Sequence, residues 1–216
     1  ATSFAWPGLA LPGLGRELAD AVLVIGSAGG SFEPVTKRLG VLHALRELGV
    51  PVYNDARAIE RSVDKSMTSL LLHAARVPTP PTWATESFAE AQRIVTRESA
   101  AGYALVAKPL FGSQGKGLLR VGLVEGVHRP LPPFDSGLTY LQRFIEPLSV
   151  PGFDWRVLVV GGHAVSAMRR VSEHWVHNVA QGARCEAVAL TPALASLAER
   201  AAQALDMDYA GVDLMP

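Results

Sequence analysis

A lysine set in an otherwise apolar strand, followed at once by a glycine-rich loop and a second apolar strand, constrains this chain more than any other stretch. The run is Leu105-Val106-Ala107-Lys108-Pro109-Leu110-Phe111-Gly112-Ser113-Gln114-Gly115-Lys116-Gly117-Leu118-Leu119. An ammonium among apolar side chains is costly unless it meets an anion. Three glycines within six residues let the backbone turn tightly and bring its N–H groups against a bound group, typically phosphate. Together these features predict a hairpin whose glycine loop covers a polyphosphate, with Lys108 beside it. The plainer alternative, an ordinary hairpin with a lysine that snorkels to water, stays open on this stretch alone. A P-loop is excluded, because no Gly-Lys-Ser/Thr opens a helix here.

The 216-residue chain can bury a substantial core and hold one large or two small domains. A hydrophobic content of 49% with 19% charged residues describes a globular α/β protein. Twenty Lys and Arg balance twenty Asp and Glu, so no global field directs the chain to nucleic acid or to a membrane surface. Cys185 is the single cysteine, which excludes an intramolecular disulfide and fits a reducing compartment such as the cytoplasm. No apolar run reaches the roughly 20 residues of a membrane span. Ala1–Leu14 lacks the charged start and cleavage pattern of a secretion signal, and Ala1–Gly15 reads as irregular surface chain.

Taken in order, Asp20–Ile25 reads as a strand, and the breaker cluster Gly26–Gly30 follows it. Apolar residues at 35, 39, 42, 45 and 48 then mark one face of a helix that Gly49 ends, and Val50–Tyr53 is a second strand. Strand, helix and strand make a parallel βαβ unit. Ala56–Arg61 is a short helix, and Asp64 caps another over Lys65–Ala75. Thr82–Ala84 is a strand, and Ser87 with Glu90 has capping-box spacing for a helix ending near Ala100. Gly126–Gly137, with three prolines, reads as a connection, and Leu138–Ile145 as a strand. Thr191-Pro192 starts the last helix, and Tyr209–Leu214 is the last strand.

The pair Gly161-Gly162 suits a two-residue turn between Asp154–Val160 and His163–Arg170. Counting outward from it sets Asp154 opposite Arg169 and Arg156 opposite Ala167, which brings Asp154, Arg156 and Arg169 to one face. An acid–base pair with a second arginine suits an anionic group, and a solvated salt bridge is the bland alternative. His174 and His177 have a ligand-like spacing without a third ligand nearby. Asp213, inside the apolar strand Ala210-Gly211-Val212-Asp213-Leu214, requires a partner or a metal.

In this order the motifs resemble the ATP-grasp ligases, and among them the RimK-type α-L-glutamate ligases. The matching pieces are Asp64-Lys65 with Leu70-Leu71, Val106-Ala107-Lys108-Pro109 with Gly112-Ser113-Gln114-Gly115, and Leu141-Gln142-Arg143-Phe144-Ile145. They continue with Asp154-Trp155-Arg156, Arg169, Asn178 with Gly182, and Ala210-Gly211-Val212-Asp213, over roughly residues 50–216. The resemblance implies an α/β protein of α+β subdomains with the ATP-grasp fold. Its expected parts are an incomplete pre-ATP-grasp domain at 1–60, a subdomain with the glycine lid at 61–146, and a truncated second subdomain at 147–216.

By the same resemblance, Lys65 and Lys108 contact the phosphates of ATP, and Gly112, Ser113, Gln114 and Gly115 cover them. Gln142, Arg143, Phe144 and Ile145 pass the adenine, and Asp154 stands with the nucleotide-binding group. Arg156, Arg169 and Asn178 face the reacting phosphoryl group, and Asp213 is the first ligand of Mg²⁺, or of Mn²⁺ in its place. The family's Glu-x-Asn strand is absent from this stretch, and Arg143 stands where the family pattern has an acidic residue. The implied function is an amide-forming ligase acting on small carboxylates and amino acids, with room for a homo-oligomer and no nucleic-acid or membrane partner. The segment from Trp175 to Cys185 is similar to RimK-like proteins of methylotrophic bacteria associated with tetrahydromethanopterin-type cofactors, which implies glutamate addition to a pterin-linked carboxylate. Trp175 then either stacks on such a ring or packs. The competing reading is a nucleotide-binding scaffold without catalysis. A dinucleotide site at Gly26–Gly30 lacks the fingerprint spacing.

Overall fold

The structure is a computed structural model that describes residues 3–5, 8–10, 13, 15, 17–26, 32–112, 115–134 and 137–216. β1 (Ser3–Ala5) and β2 (Gly8–Ala10) pair antiparallel where the composition predicts irregular chain. Leu9 accounts for the difference, because it is buried in a core with Val41, Leu45, Val50 and Val52. β3 (Val22–Leu23), α1 (Phe32–Glu47) and β4 (Val52–Tyr53) form the expected βαβ unit, with its two strands parallel. Val41 and Leu45 carry the buried stripe of α1, and Leu48 lies exposed outside it.

α2 (Ala56–Val63) and α3 (Lys65–Ala74) are capped in succession by Asp55 and Asp64. The Asp64 carboxylate accepts the N–H groups of Ser66 and Met67 at 2.8 and 3.1 Å, which turns the chain at the start of α3. β5 (Thr82–Thr85) leads to α4 (Phe88–Ala100), where Ser87 Oγ accepts the Glu90 N–H as the sequence predicts. β6 (Ala104–Lys108), β7 (Leu119–Val124), β8 (Val127–Arg129) and β9 (Thr139–Arg143) complete a five-stranded sheet in the order β5-β9-β6-β7-β8. Every pair in it is antiparallel. β8 corrects the reading of Gly126–Gly137 as pure connection. Its three residues are all exposed, so no apolar pattern marks them. Ala91, Ile94 and Val95 of α4 pack on Leu105, Ala107, Val121 and Leu141. Alternation therefore turns Val106 and Lys108 to the face away from α4.

β10 (Gly152–Val160), β11 (His163–Ser172), β12 (Arg184–Val188) and β13 (Tyr209–Leu214) form a second antiparallel sheet in the order β12-β11-β10-β13. α5 (Pro192–Leu205) starts at the Thr191 cap and lays Ala198 and Ala202 on Val157, Val159 and Ala167. The face of this sheet turned from α5 carries Asp154 and Arg156. Gly161 and Gly162 both have positive φ, 58° and 80°, as a two-residue turn between twisted strands demands.

The predicted register holds only at the tip, where Val160 faces His163 and Val159 faces Ala164. Leu158 then faces Ser166, so Val165 is an extra residue and the ladder bulges. Beyond it Asp154 faces Arg170, Trp155 faces Arg169 and Arg156 faces Met168. The expected pairings of Asp154 with Arg169 and of Arg156 with Ala167 are thereby corrected, and Arg169 moves to the other face.

Asn54 joins the βαβ unit to the second sheet, donating to Tyr209 O and accepting from the N–H groups of Asp208 and Tyr209. Among the described residues no helix is long and apolar enough to cross a membrane.

Candidate functional site

Two ammonium groups converge where α3 begins and β6 ends. Lys108 Nζ donates to Gln142 Oε1 at 2.5 Å across the β6–β9 ladder. Lys65 Nζ donates to the carbonyls of Leu110 and Gly112 at 2.9 and 2.8 Å, holding the entry of the glycine loop. Both take neutral acceptors, so neither charge is neutralised through these bonds. Burial, and then the charge of Lys65, lowers the Lys108 amine from 10.5 to about 8. Burial lowers Lys65 as well, although Asp64 opposes it. Two desolvated cations of like sign, held by neutral oxygens, make a site for an anion.

The second sheet contributes a chain of four charges on the face turned from α5. Arg156 grips Asp213 through Nε–Oδ1 at 2.7 Å and Nη2–Oδ2 at 3.0 Å. Arg170 Nη2 reaches the same Oδ2 at 3.1 Å. Arg170 also holds Asp154 through Nε–Oδ1 at 2.7 Å and Nη2–Oδ2 at 2.5 Å. The outer pair is accessible, with side chains 39% and 43% exposed, and Arg170 beneath it is 3% exposed. Arg170 is the residue that the sequence reading misses. Arg169 instead donates to Glu186 at 2.5 Å and stacks over Phe153, both on the opposite face. The doublet Arg169-Arg170 held the signal, and the bulge decides between its members.

The two sheets meet across the segment Trp175–Asn178. Gly115 has φ +70°, and a Cβ built there would stand 2.7 Å from Val176 Cγ1 and 2.8 Å from Asn178 Oδ1. Only glycine fits, so the loop comes up against Val176 and Asn178. Trp175 stands edge-on to Phe144 at 5.9 Å, and the Arg120 guanidinium lies over both rings. This gives Trp175 a packing role. His177 is enclosed beside Asp154, Nδ1 to Oδ2 being 3.9 Å.

Arg143 is drawn away from this region. Its guanidinium donates to Glu98 at 2.6 Å and lies over the Tyr103 ring at 3.7 Å, so the side chain serves the α4 side of the sheet. The N–H groups of Arg143 and Phe144 are taken by Pro81 O and Ala104 O. Phe144 and Ile145 border the seam between the sheets together with Phe153 and Met215. Ser113 and Gln114 lie outside the described residues. Among the described residues no group of three His, Cys, Asp or Glu side chains gathers as a metal cage, His174 and His177 included. Asp213 fits a Mg²⁺ ion of the kind that takes one or two carboxylates and completes its shell with waters and substrate phosphates.

Residues 62–216 match the RimK-like ATP-grasp domain. The chain is 34% identical over 213 residues to the tetrahydromethanopterin:α-L-glutamate ligase of Methanosarcina acetivorans, a match covering 91% of this chain and 63% of that protein. It is 36% identical over 172 residues to the enzyme of the same name from Methanocaldococcus jannaschii, covering 77% and 58%. The chain thus spans about 60% of the length of these curated relatives. Among solved structures, the ATP-grasp ligase PsnB, complexed with a precursor variant, Mg and ADP, superposes with a TM-score of 0.68 at 20% identity, covering 99% of this chain and 72% of that one. A RimK domain protein from Sphaerobacter thermophilus gives 0.57 at 22% identity, covering 86% and 64%. These structures share the ATP-grasp fold, and the chain belongs to the RimK-like ATP-grasp family.

Proposed function

We propose that this chain is the core of an ATP-dependent carboxylate–amine ligase that adds L-glutamate to a carboxylate on a pterin-type substrate. The observation that carries the reading is the pair of desolvated ammonium groups, Lys65 and Lys108, under a glycine loop that touches Asn178. The Trp175–Asn178 segment links that loop to the four-charge chain of the second sheet, with Asn178 at Gly115 and His177 beside Asp154. The parts divide as 1–60, 61–146 and 147–216, each boundary falling between sheets. The names of the curated relatives supply the substrate class and disfavour a scaffold without catalysis.

In this reaction a carboxylate oxygen of the substrate attacks the γ-phosphorus of ATP, and the bond from that phosphorus to the ADP oxygen breaks. The amine of glutamate then attacks the acyl carbon, phosphate leaves, and the amine loses a proton. Lys65 and Lys108 hold the phosphates, Gly112 and Gly115 bring backbone against them, and Arg156 and Arg170 balance the charge that shifts during transfer. Asn178 stands at the loop as a hydrogen-bonding group. Asp213 would hold Mg²⁺ or Mn²⁺, which supplies neutralising charge to the phosphates when bound. No side-chain nucleophile is required.

Lys108→Ala is expected to abolish ATP-dependent phosphate release while the circular dichroism spectrum stays that of the parent. Hydroxylamine supplied in place of glutamate should trap the activated acid as a hydroxamate. Unchanged turnover in Lys108→Ala would refute the reading.

A further inference from the structure

His177 is the one described residue whose buried side-chain nitrogen has no hydrogen-bond partner: Nε2 is enclosed and unsatisfied. Its side chain is 8% exposed. The ring lies where a Cβ of residue 152 would go, 2.8 Å from Nε2, so Gly152 is small because the imidazole is there. The other nitrogen, Nδ1, is 3.9 Å from Asp154 Oδ2, about one ångström too far for a hydrogen bond. Burial, and then the positive charge of Arg170, keep the ring below its ordinary pKa despite Asp154, so it is neutral with one N–H to give. A ring whose enclosed Nε2 has no partner is costly to bury, and a phenyl ring would fill the same space without that cost.

Asp154 is the other half of the argument. Both its oxygens are held by Arg170, whose Nη2 is shared with Asp213. An anion drawn to the exposed Arg156 competes with Asp213 for its N–H groups, and Asp213 so released draws more on Arg170, whose Nη2 it already shares. Each N–H that Arg170 redirects leaves a lone pair of the buried Asp154 unmatched, and among the described residues the ring beside it is that of His177. We propose that His177 is a positioning residue that acts through Asp154 on Arg170, its ring closing the last ångström to donate Nδ1–H to Asp154 Oδ2 when nucleotide phosphates engage the arginines. The inference rests on the ligase reading and deepens it, adding a buried end to the chain Arg156–Asp213–Arg170–Asp154. Residues that orient a charged group through a second residue typically change rate by 10–100-fold when removed.

The test uses the intact protein and its His177→Phe, His177→Asn, Gly152→Ala and Lys108→Ala variants. His177→Phe is expected to melt at or above the parent temperature and to bind ADP with Mg²⁺ within about threefold of the parent. Its kcat for phosphate release should fall 10–100-fold with KM unchanged. His177→Asn, whose amide can still donate to Asp154, should recover part of that loss. Gly152→Ala, which pushes the ring aside, should reproduce it without deleting a polar group. Nitrogen-15 NMR of the imidazole should show a slowly exchanging ring N–H that appears with ADP and Mg²⁺. Full kcat in His177→Phe, or a lower melting temperature with unaltered kcat, overturns the proposal. An imidazole spectrum indifferent to bound nucleotide does the same. Those results leave the ligase reading intact so long as Lys108→Ala is inactive, whereas a parent that binds no nucleotide removes both.

Discussion

Replacing Lys108 with methionine keeps the length of the side chain and removes its charge, and the two effects on stability can be set against each other. The amine titrates at about 8 in the fold, against 10.5 for a lysine in water. At about 1.36 kcal/mol per unit, holding the ammonium at pH 7 costs roughly 3 kcal/mol of stability. Because the folded value is the lower one, the unfolded chain binds more protons between pH 8 and 10.5, and stability rises with pH across that window. By pH 9.5 the cost has shrunk to about 1.4 kcal/mol. Methionine also forfeits the 2.5 Å bond to Gln142 Oε1, worth about 1–1.5 kcal/mol. Lys108→Met should therefore be about 2 kcal/mol more stable than the parent at pH 7 and nearly equal to it at pH 9.5. For a chain of this size the pH 7 gain corresponds to roughly 4–8 °C in Tm. Urea unfolding at both pH values measures it, with m unchanged between the two proteins. The same variant should release no phosphate from ATP. A variant less stable than the parent at pH 7, or a difference that does not shrink at pH 9.5, would refute the claim that an unneutralised cation is held in this site.

At pH 8 about half of the Lys108 amines are neutral, so binding ADP with Mg²⁺ should draw up to about half a proton into the protein, measured calorimetrically in buffers of different ionisation enthalpy; zero uptake contradicts contact between Lys108 and the phosphates. Arg143→Ala should lower stability by about 1–2 kcal/mol, because Glu98 is 6% exposed but keeps Arg97 on its other oxygen, and should leave ADP affinity alone. A binding defect in that variant would return Arg143 to the nucleotide site. Gly115→Ala should cost about 1–2 kcal/mol through its positive φ and its collision with Asn178, and should also weaken nucleotide binding; calorimetry and thermal melting check both.

The helices were legible because their punctuation is chemical. Asp64, Ser87 and Thr191 cap where their side-chain oxygens predict, and Gly161-Gly162 sets the hairpin turn. Lys108 was legible because a cation interrupting Leu105–Ala107 needs a reason in any fold. Short exposed strands were not. Val127–Arg129 and Arg184–Val188 show no alternation of polar and apolar faces, since neither has a fully buried side. What the Arg143 side chain meets was not legible, because only the fold brings Glu98 of α4 to it. Arg170 was missed for a related reason, since counting outward from a turn assumes that the ladder has no insertion.

That insertion, Val165, has a consequence for protein engineering. Its excision would join Ala164 to Ser166 and make the ladder regular without moving it, so Leu158 would still face Ser166 and Asp154 would still face Arg170. Were Val165 instead drawn into the pairing, the mouth of the hairpin would slip by one and Arg169 would face Asp154, so an uncharged residue a few positions away decides which guanidinium reaches the carboxylates. Grafting this hairpin into another ligase would transplant its arginine chemistry with the bulge kept or with the surplus valine left out, but not with a recipient strand that pairs it.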